Sequence, residues 1–189
     1  ETPHPDILAI LPAGWILSDR PLGAPMQGVA RARGVLVYRD PVALPMATFW
    51  SRAIAAPSNE AAFRALMQHA GGGLRVTPHV DASIARAPQE IVAARIEELA
   101  SSRVRIVVDA PRDGIVVLSQ QDAPGWRVRV DGVAREKLVA HGIFRAVMVR
   151  AGHHEVIWTY RPRTLFIGAW MTFITLVSLQ LRVFVKRAR

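Results

Sequence analysis

The stretch Arg103-Val104-Arg105-Ile106-Val107-Val108-Asp109 decides the fold. Val104, Ile106 and Val108 alternate with Arg103, Arg105 and Asp109, the period of two that buries one face of a strand and wets the other. The same grammar continues downstream. Asp113-Gly114 turns into an apolar run at residues 115–119, and Pro124-Gly125 turns into residues 126–130. There Trp126, Val128 and Val130 alternate with Arg127, Arg129 and Asp131, and Asp131-Gly132 is a strong hairpin signal. Residues 144–150 and 154–160 read as two further strands joined by Ala151-Gly152-His153. Short strands at this spacing, separated by turn residues, predict a β-sandwich.

Upstream the pattern is mixed. Residues 91–99 have a helical composition, yet they abut Ser101-Ser102 and a strong strand, so a hairpin arm fits equally well. Pro57-Ser58-Asn59-Glu60 opens a helix with Ser58 as its N-cap. Ala62, Phe63, Leu66 and Met67 fall on one face of it, and Gly71-Gly72-Gly73 stops it. Residues 46–55 could form a strand, and residues 35–38 a short β run closed by Arg39-Asp40-Pro41. Residues 1–34 are rich in Pro and Gly and read as extended segments and turns. The expected fold class is mainly β. A mixed α/β extracytoplasmic segment (1–100) precedes the sandwich strands (101–161), a transmembrane helix (164–185) and a basic cytoplasmic tail (186–189).

The span rests on TLFIGAWMTFITLVSLQLRVFV, residues 164–185, whose only charge is Arg182. At about 1.5 Å per residue it reaches roughly 33 Å, enough for a hydrocarbon core of about 30 Å. Arg182 lies one turn from its end, where the long stem can snorkel to the interface. The net charge of +9 fits this reading better than nucleic-acid binding. Residues 1–160 carry 18 Lys and Arg against 15 Asp and Glu, whereas residues 161–189 carry 6 basic residues and no acid. The basic excess therefore flanks the apolar segment, and no stripe of basic and aromatic residues exists to bind nucleic acid.

Arg161 and Arg163 precede the span; Arg182, Lys186, Arg187 and Arg189 follow it. The positive-inside rule then places the C-terminus in the cytoplasm and residues 1–160 outside, with these six as membrane-interface residues. An extracytoplasmic domain needs export, and Glu1–Asp6 has neither the basic nor the apolar region of a signal peptide. Earlier transmembrane segments upstream are favoured over a removed leader.

Few residues invite chemistry. The chain has no cysteine, so thiol chemistry, disulfides and Cys-based metal sites are excluded. His153 and His154 are adjacent and point to opposite faces of a strand, which disfavours a shared metal; a site that also takes His141 is conceivable but disfavoured. Gly71-Gly72-Gly73 follows a helix instead of opening one, so it is no phosphate cradle. No nucleophile–base set or paired-carboxylate constellation appears, and the expected catalytic residues, metal ligands and cofactors are none. Trp126 is a candidate glycan-binding residue, since an exposed indole can stack on a sugar face. The competing reading packs it in the core behind the Pro124-Gly125 turn.

Taken in order, Ile115-Val116-Val117-Leu118-Ser119, Pro124-Gly125-Trp126 and Val130-Asp131-Gly132 are followed by Phe144-Arg145-Ala146-Val147. Ala151-Gly152-His153-His154-Glu155-Val156 and Tyr160-Arg161-Pro162 complete the set. This order resembles the C-terminal end of YfhO-type bacterial membrane proteins. Val37-Tyr38-Arg39-Asp40-Pro41 with Ala43-Leu44-Pro45 resembles an upstream segment of the same family. The chain departs from the pattern at Gln121-Asp122-Ala123 and at His141-Gly142-Ile143, where aromatic residues are usual. The resemblance implies a polytopic protein similar to C-type glycosyltransferases, which use polyprenyl-phosphate sugars and keep their acidic catalytic residues among N-terminal membrane helices. It implies that this chain is a C-terminal accessory domain in the bacterial cytoplasmic membrane. Its partners would be membrane lipid, upstream helices of the same protein and a glycan acceptor. A singly anchored, non-catalytic envelope domain that binds a glycan or protein is the alternative.

Overall fold

The computed structural model describes residues 14–68, 73–77, 84, 87–162, 164, 168 and 170–178. It is mainly β. The strands are β1 (Trp15–Ser18), β2 (Gln27–Ala32), β3 (Val35–Arg39), β4 (Ala47–Trp50), β5 (Ala53–Ala55), β6 (Leu74–Thr77), β7 (Ile91–Ala93) and β8 (Arg95–Leu99). They continue with β9 (Arg103–Ala110), β10 (Gly114–Gln121), β11 (Trp126–Val130), β12 (Val133–Arg135), β13 (Leu138–Ala140), β14 (Phe144–Val149) and β15 (Gly152–Tyr160). One helix, α1 (Asn59–Met67), lies between β5 and β6.

Two sheets form the sandwich. One runs β5-β6-β13-β14-β10-β4-β7 and the other β12-β11-β15-β9-β8. The alternation read from Arg103 onward becomes packing here. Val104, Ile106 and Val108 of β9, Val128 and Val130 of β11, and Val156 and Trp158 of β15 all face the facing sheet. They meet Phe49 of β4, Val116 and Leu118 of β10, and Val147 and Val149 of β14. Each fully buried side chain of this size contributes about 1.5–3 kcal/mol. On the five-stranded sheet the other face is wet and charged. Arg105 pairs with Glu97 and Glu155, and Arg103 with Glu98.

The seven-stranded sheet is covered on both faces, which explains the unbroken apolar run of β10. Ile115 and Val117 point away from the sandwich core into a second cluster with Trp50, Leu74, Val76, Leu138, Phe144 and Ala146. α1 packs over this side through buried Ala62. Ser58 caps it by accepting from the Ala61 N–H, as the sequence predicts. Phe63 and Met67 stay substantially exposed, so the helix buries a narrower face than its apolar pattern implies. β5 and β6 pair in parallel, and α1 lies within the crossover that such a pair requires.

Residue 100 does not divide the fold as the sequence implies. β4, β5 and β6 share a sheet with β10, β13 and β14, and β8 pairs with β9. The ambiguous stretch at 91–99 resolves into strands β7 and β8, because partners from distant sequence override its helical propensity. The expected strand at 46–55 is broken at Ser51-Arg52 into β4 and β5. A separate antiparallel sheet, β1-β3-β2, pairs two strands from the segment read as extended with the short β run expected at residues 35–38.

Beyond β15, Thr164, Gly168 and residues 170–178 are helical. Among the described residues no helix is long and apolar enough to cross a membrane. The rest of the expected span, with Arg163, Arg182, Lys186, Arg187 and Arg189, lies outside the described residues.

Candidate functional site

The best-built polar cluster occupies one end of the sandwich. β14 places Arg145 in register with Val147 and Val149, so its side chain enters the layer between the sheets. It is 2 % exposed. β11 and β15 supply two indoles from the opposite sheet. The Arg145 guanidinium carbon lies 3.7 Å from the Trp126 ring centroid and 5.5 Å from that of Trp158. Gln120 of β10 accepts a hydrogen bond from Nη2. Nε and Nη1 are buried without a hydrogen-bond partner among the described residues. Burial lowers the guanidinium to about 10, and the nearby Asp122 carboxylate opposes that shift. Asp122 itself binds Lys137 Nζ through both oxygens at 2.6 Å.

The Pro124-Gly125 turn fixes Trp126. Gly125 has φ +108, and a Cβ there would meet the Pro162 backbone at 2.9 Å and Tyr160 at 3.1 Å. The turn is therefore pressed against the segment leaving β15, and the Arg161 N–H donates to the Gly125 carbonyl at 2.8 Å. Tyr160 and Trp126 stand 5.1 Å apart between ring centroids. The indole of Trp126 is half-buried, with Arg145 over its ring and Tyr160 beside it. Trp126 and Arg161 thus share one end of the domain.

The motif around Arg145 does not by itself mark the residue as buried. The signal is its shared parity with Val147 and Val149. It is legible only once β14 is known to be covered on both faces.

The histidines separate. His153 Nδ1 pairs with Asp109 and His154 Nδ1 with Asp131, each at 2.6 Å. The hydrogen bond from His154, followed by the Glu155 N–H, holds the Asp131 carboxyl below its ordinary range. Asp131 and Gly132 have φ 51 and 77, the left-handed pair that the Asp-Gly hairpin calls for. His141 lies elsewhere, buried on the α1 side of the sheet against Trp50 with ring centroids 6.4 Å apart. Burial, then the positive charge of Arg75, lowers it to about 4. Among the described residues there is no group of three or more potential metal ligands.

An open cleft of about 550 Å³ lies at the start of α1, lined by Ser58, Asn59, Thr77, Lys137 and Val139. Its polar groups are largely spent on one another. Thr77 bonds Asn59, Ser58 caps the helix and Lys137 holds Asp122. No family model, curated protein or solved structure matches this chain.

Proposed function

We propose that this chain is an extracytoplasmic β-sandwich domain held at the bacterial cytoplasmic membrane by its C-terminal helix. It serves as the C-terminal accessory domain of a polytopic, glycosyltransferase-like protein. The observation that carries the anchoring is the surface of residues 170–178. Trp170, Met171, Phe173, Ile174 and Leu176 are each more than half exposed, on a helix that offers them no core. The hydroxyls on that helix turn inward. Thr172 donates to the Gly168 carbonyl, Thr175 to Met171 and Ser178 to Ile174, at 2.8–3.0 Å. Hydroxyls satisfied by their own helix backbone suit a surface bathed in hydrocarbon, where water is unavailable to them.

The accessory role rests on the resemblance of the ordered strand motifs to YfhO-type proteins. The domain would cover a membrane-embedded catalytic core or help hold a glycan acceptor. No catalytic set is seen among the described residues, and on this reading donor chemistry with a polyprenyl-phosphate sugar would belong to upstream membrane helices. The test is the mass of the native protein extracted from membranes and detected with an antibody to the sandwich. A band several times larger than 20.8 kDa supports the polytopic parent. A band near that mass leaves a singly anchored envelope domain and removes the glycosyltransferase reading.

A further inference from the structure

Strand register gathers basic and interfacial residues at the sandwich end from which the chain leaves for the helix. Thr159, near the end of β15, pairs with Arg103 of β9 on one side and Arg127 of β11 on the other. Val104 and Val128 face the core, so both arginines stand on the outer face, flanking Thr159. Arg161 follows two residues later and is exposed. Arg103 shares its charge with Glu98 at 3.0 Å. Arg127 and Arg161 have no carboxylate partner among the described residues, and Asp122 at this end is held by Lys137. Leu99 is 55 % exposed and Tyr160 36 % at the same end, beside half-buried Trp126. The opposite end carries Asp109, Asp113 and Asp131 together with Arg112 and Arg150, so its charges are mixed.

We propose that this end of the sandwich rests on the bilayer surface, with Arg103, Arg127 and Arg161 meeting the phosphates of anionic lipid headgroups. Leu99 and Tyr160 then enter the interfacial zone, where aromatic and aliphatic side chains beside arginine are at home. This docking rests on the membrane-anchored reading above. It adds a lipid site within the folded domain and fixes which end of the domain faces the membrane.

The absence of cysteine makes the test direct. Ser102→Cys places one thiol in the β8–β9 turn at the proposed surface, and Ala151→Cys places one in the far turn; both positions are exposed. The full chain, labelled with bimane at either site, is reconstituted in phosphatidylcholine–phosphatidylglycerol vesicles containing headgroup-nitroxide lipid. The proposal expects strong quenching at position 102 and little at 151. Arg103→Gln with Arg127→Gln, or high salt, should cut the quenching at 102 by about half or more. Both substituted residues are exposed, and circular dichroism checks that the variant folds. Equal quenching at the two sites overturns the proposal, as does quenching at 102 that ignores the double substitution. Protein that floats with the vesicles but leaves position 102 unquenched overturns the docking alone. Protein that fails to float overturns the anchoring and the docking with it.

Discussion

The Arg145 guanidinium lies 3.7 Å from the centroid of the Trp126 indole, and the two residues come from opposite sheets of the sandwich. The contact ties the Pro124-Gly125 turn, and through it the segment that leads to the helix, to the central strands β14 and β10. A guanidinium over a half-buried indole is worth about 1–2 kcal/mol, and the indole adds the area it buries. Trp126→Ala should therefore cost about 2–4 kcal/mol, read as a fall in melting temperature of the detergent-solubilised chain. Arg145→Met should stay within about 1 kcal/mol of the parent, because Nε and Nη1 already lack partners among the described residues and a flexible apolar chain fills the same slot.

Gly142 and Gly132 separate backbone strain from collision. Both have positive φ, 78 and 77. A Cβ at Gly132 meets nothing within 4 Å, whereas one at Gly142 would lie 2.1 Å from the Asn59 carbonyl oxygen at the start of α1. Gly132→Ala should cost about 1 kcal/mol, the penalty of a left-handed alanine. Gly142→Ala should cost clearly more and loosen α1, seen as faster amide exchange over residues 59–67.

His141 gives stability a pH dependence of known sign. Its folded-state value near 4 lies below the ordinary 6.5, so between those values the unfolded chain binds the extra proton. Stability contributed by neutral, buried His141 is complete above about pH 6.5 and falls as pH drops toward 4, by roughly 3 kcal/mol in all. Denaturant melts at pH 7.5 and pH 4.5 measure it. His141→Leu should flatten the difference between them, and an unchanged slope would place the proton elsewhere.

What the sequence makes legible follows from where burial is one-sided. β9, β11 and β15 have one wet face, so their alternation of valine with arginine is visible in the chain itself. β10 is covered on both faces, and its run of apolar residues hides its parity. For the same reason the burial of Arg145 is hidden until the second cluster, with Phe144 and Ala146 on the other face, is seen. The break at residue 100 fails because pairing such as β4 with β10 joins residues 47–50 to 115–118, a relation no local pattern carries. Among the candidate site residues, Trp126 and Arg161 come together at one end. That proximity depends on the Gly125 turn meeting Pro162, a contact between segments far apart in the chain.

The central claim is a sandwich outside the cytoplasmic membrane with its C-terminus inside. The most direct measurement is protease protection on spheroplasts of cells that make the protein, probed with one antibody to the sandwich and another to residues 180–189. The account predicts that added protease destroys the sandwich epitope. The C-terminal epitope should survive on a short fragment in the membrane pellet until the spheroplasts are lysed. A sandwich epitope that survives in intact spheroplasts, or a protein recovered whole from the soluble fraction, would contradict it.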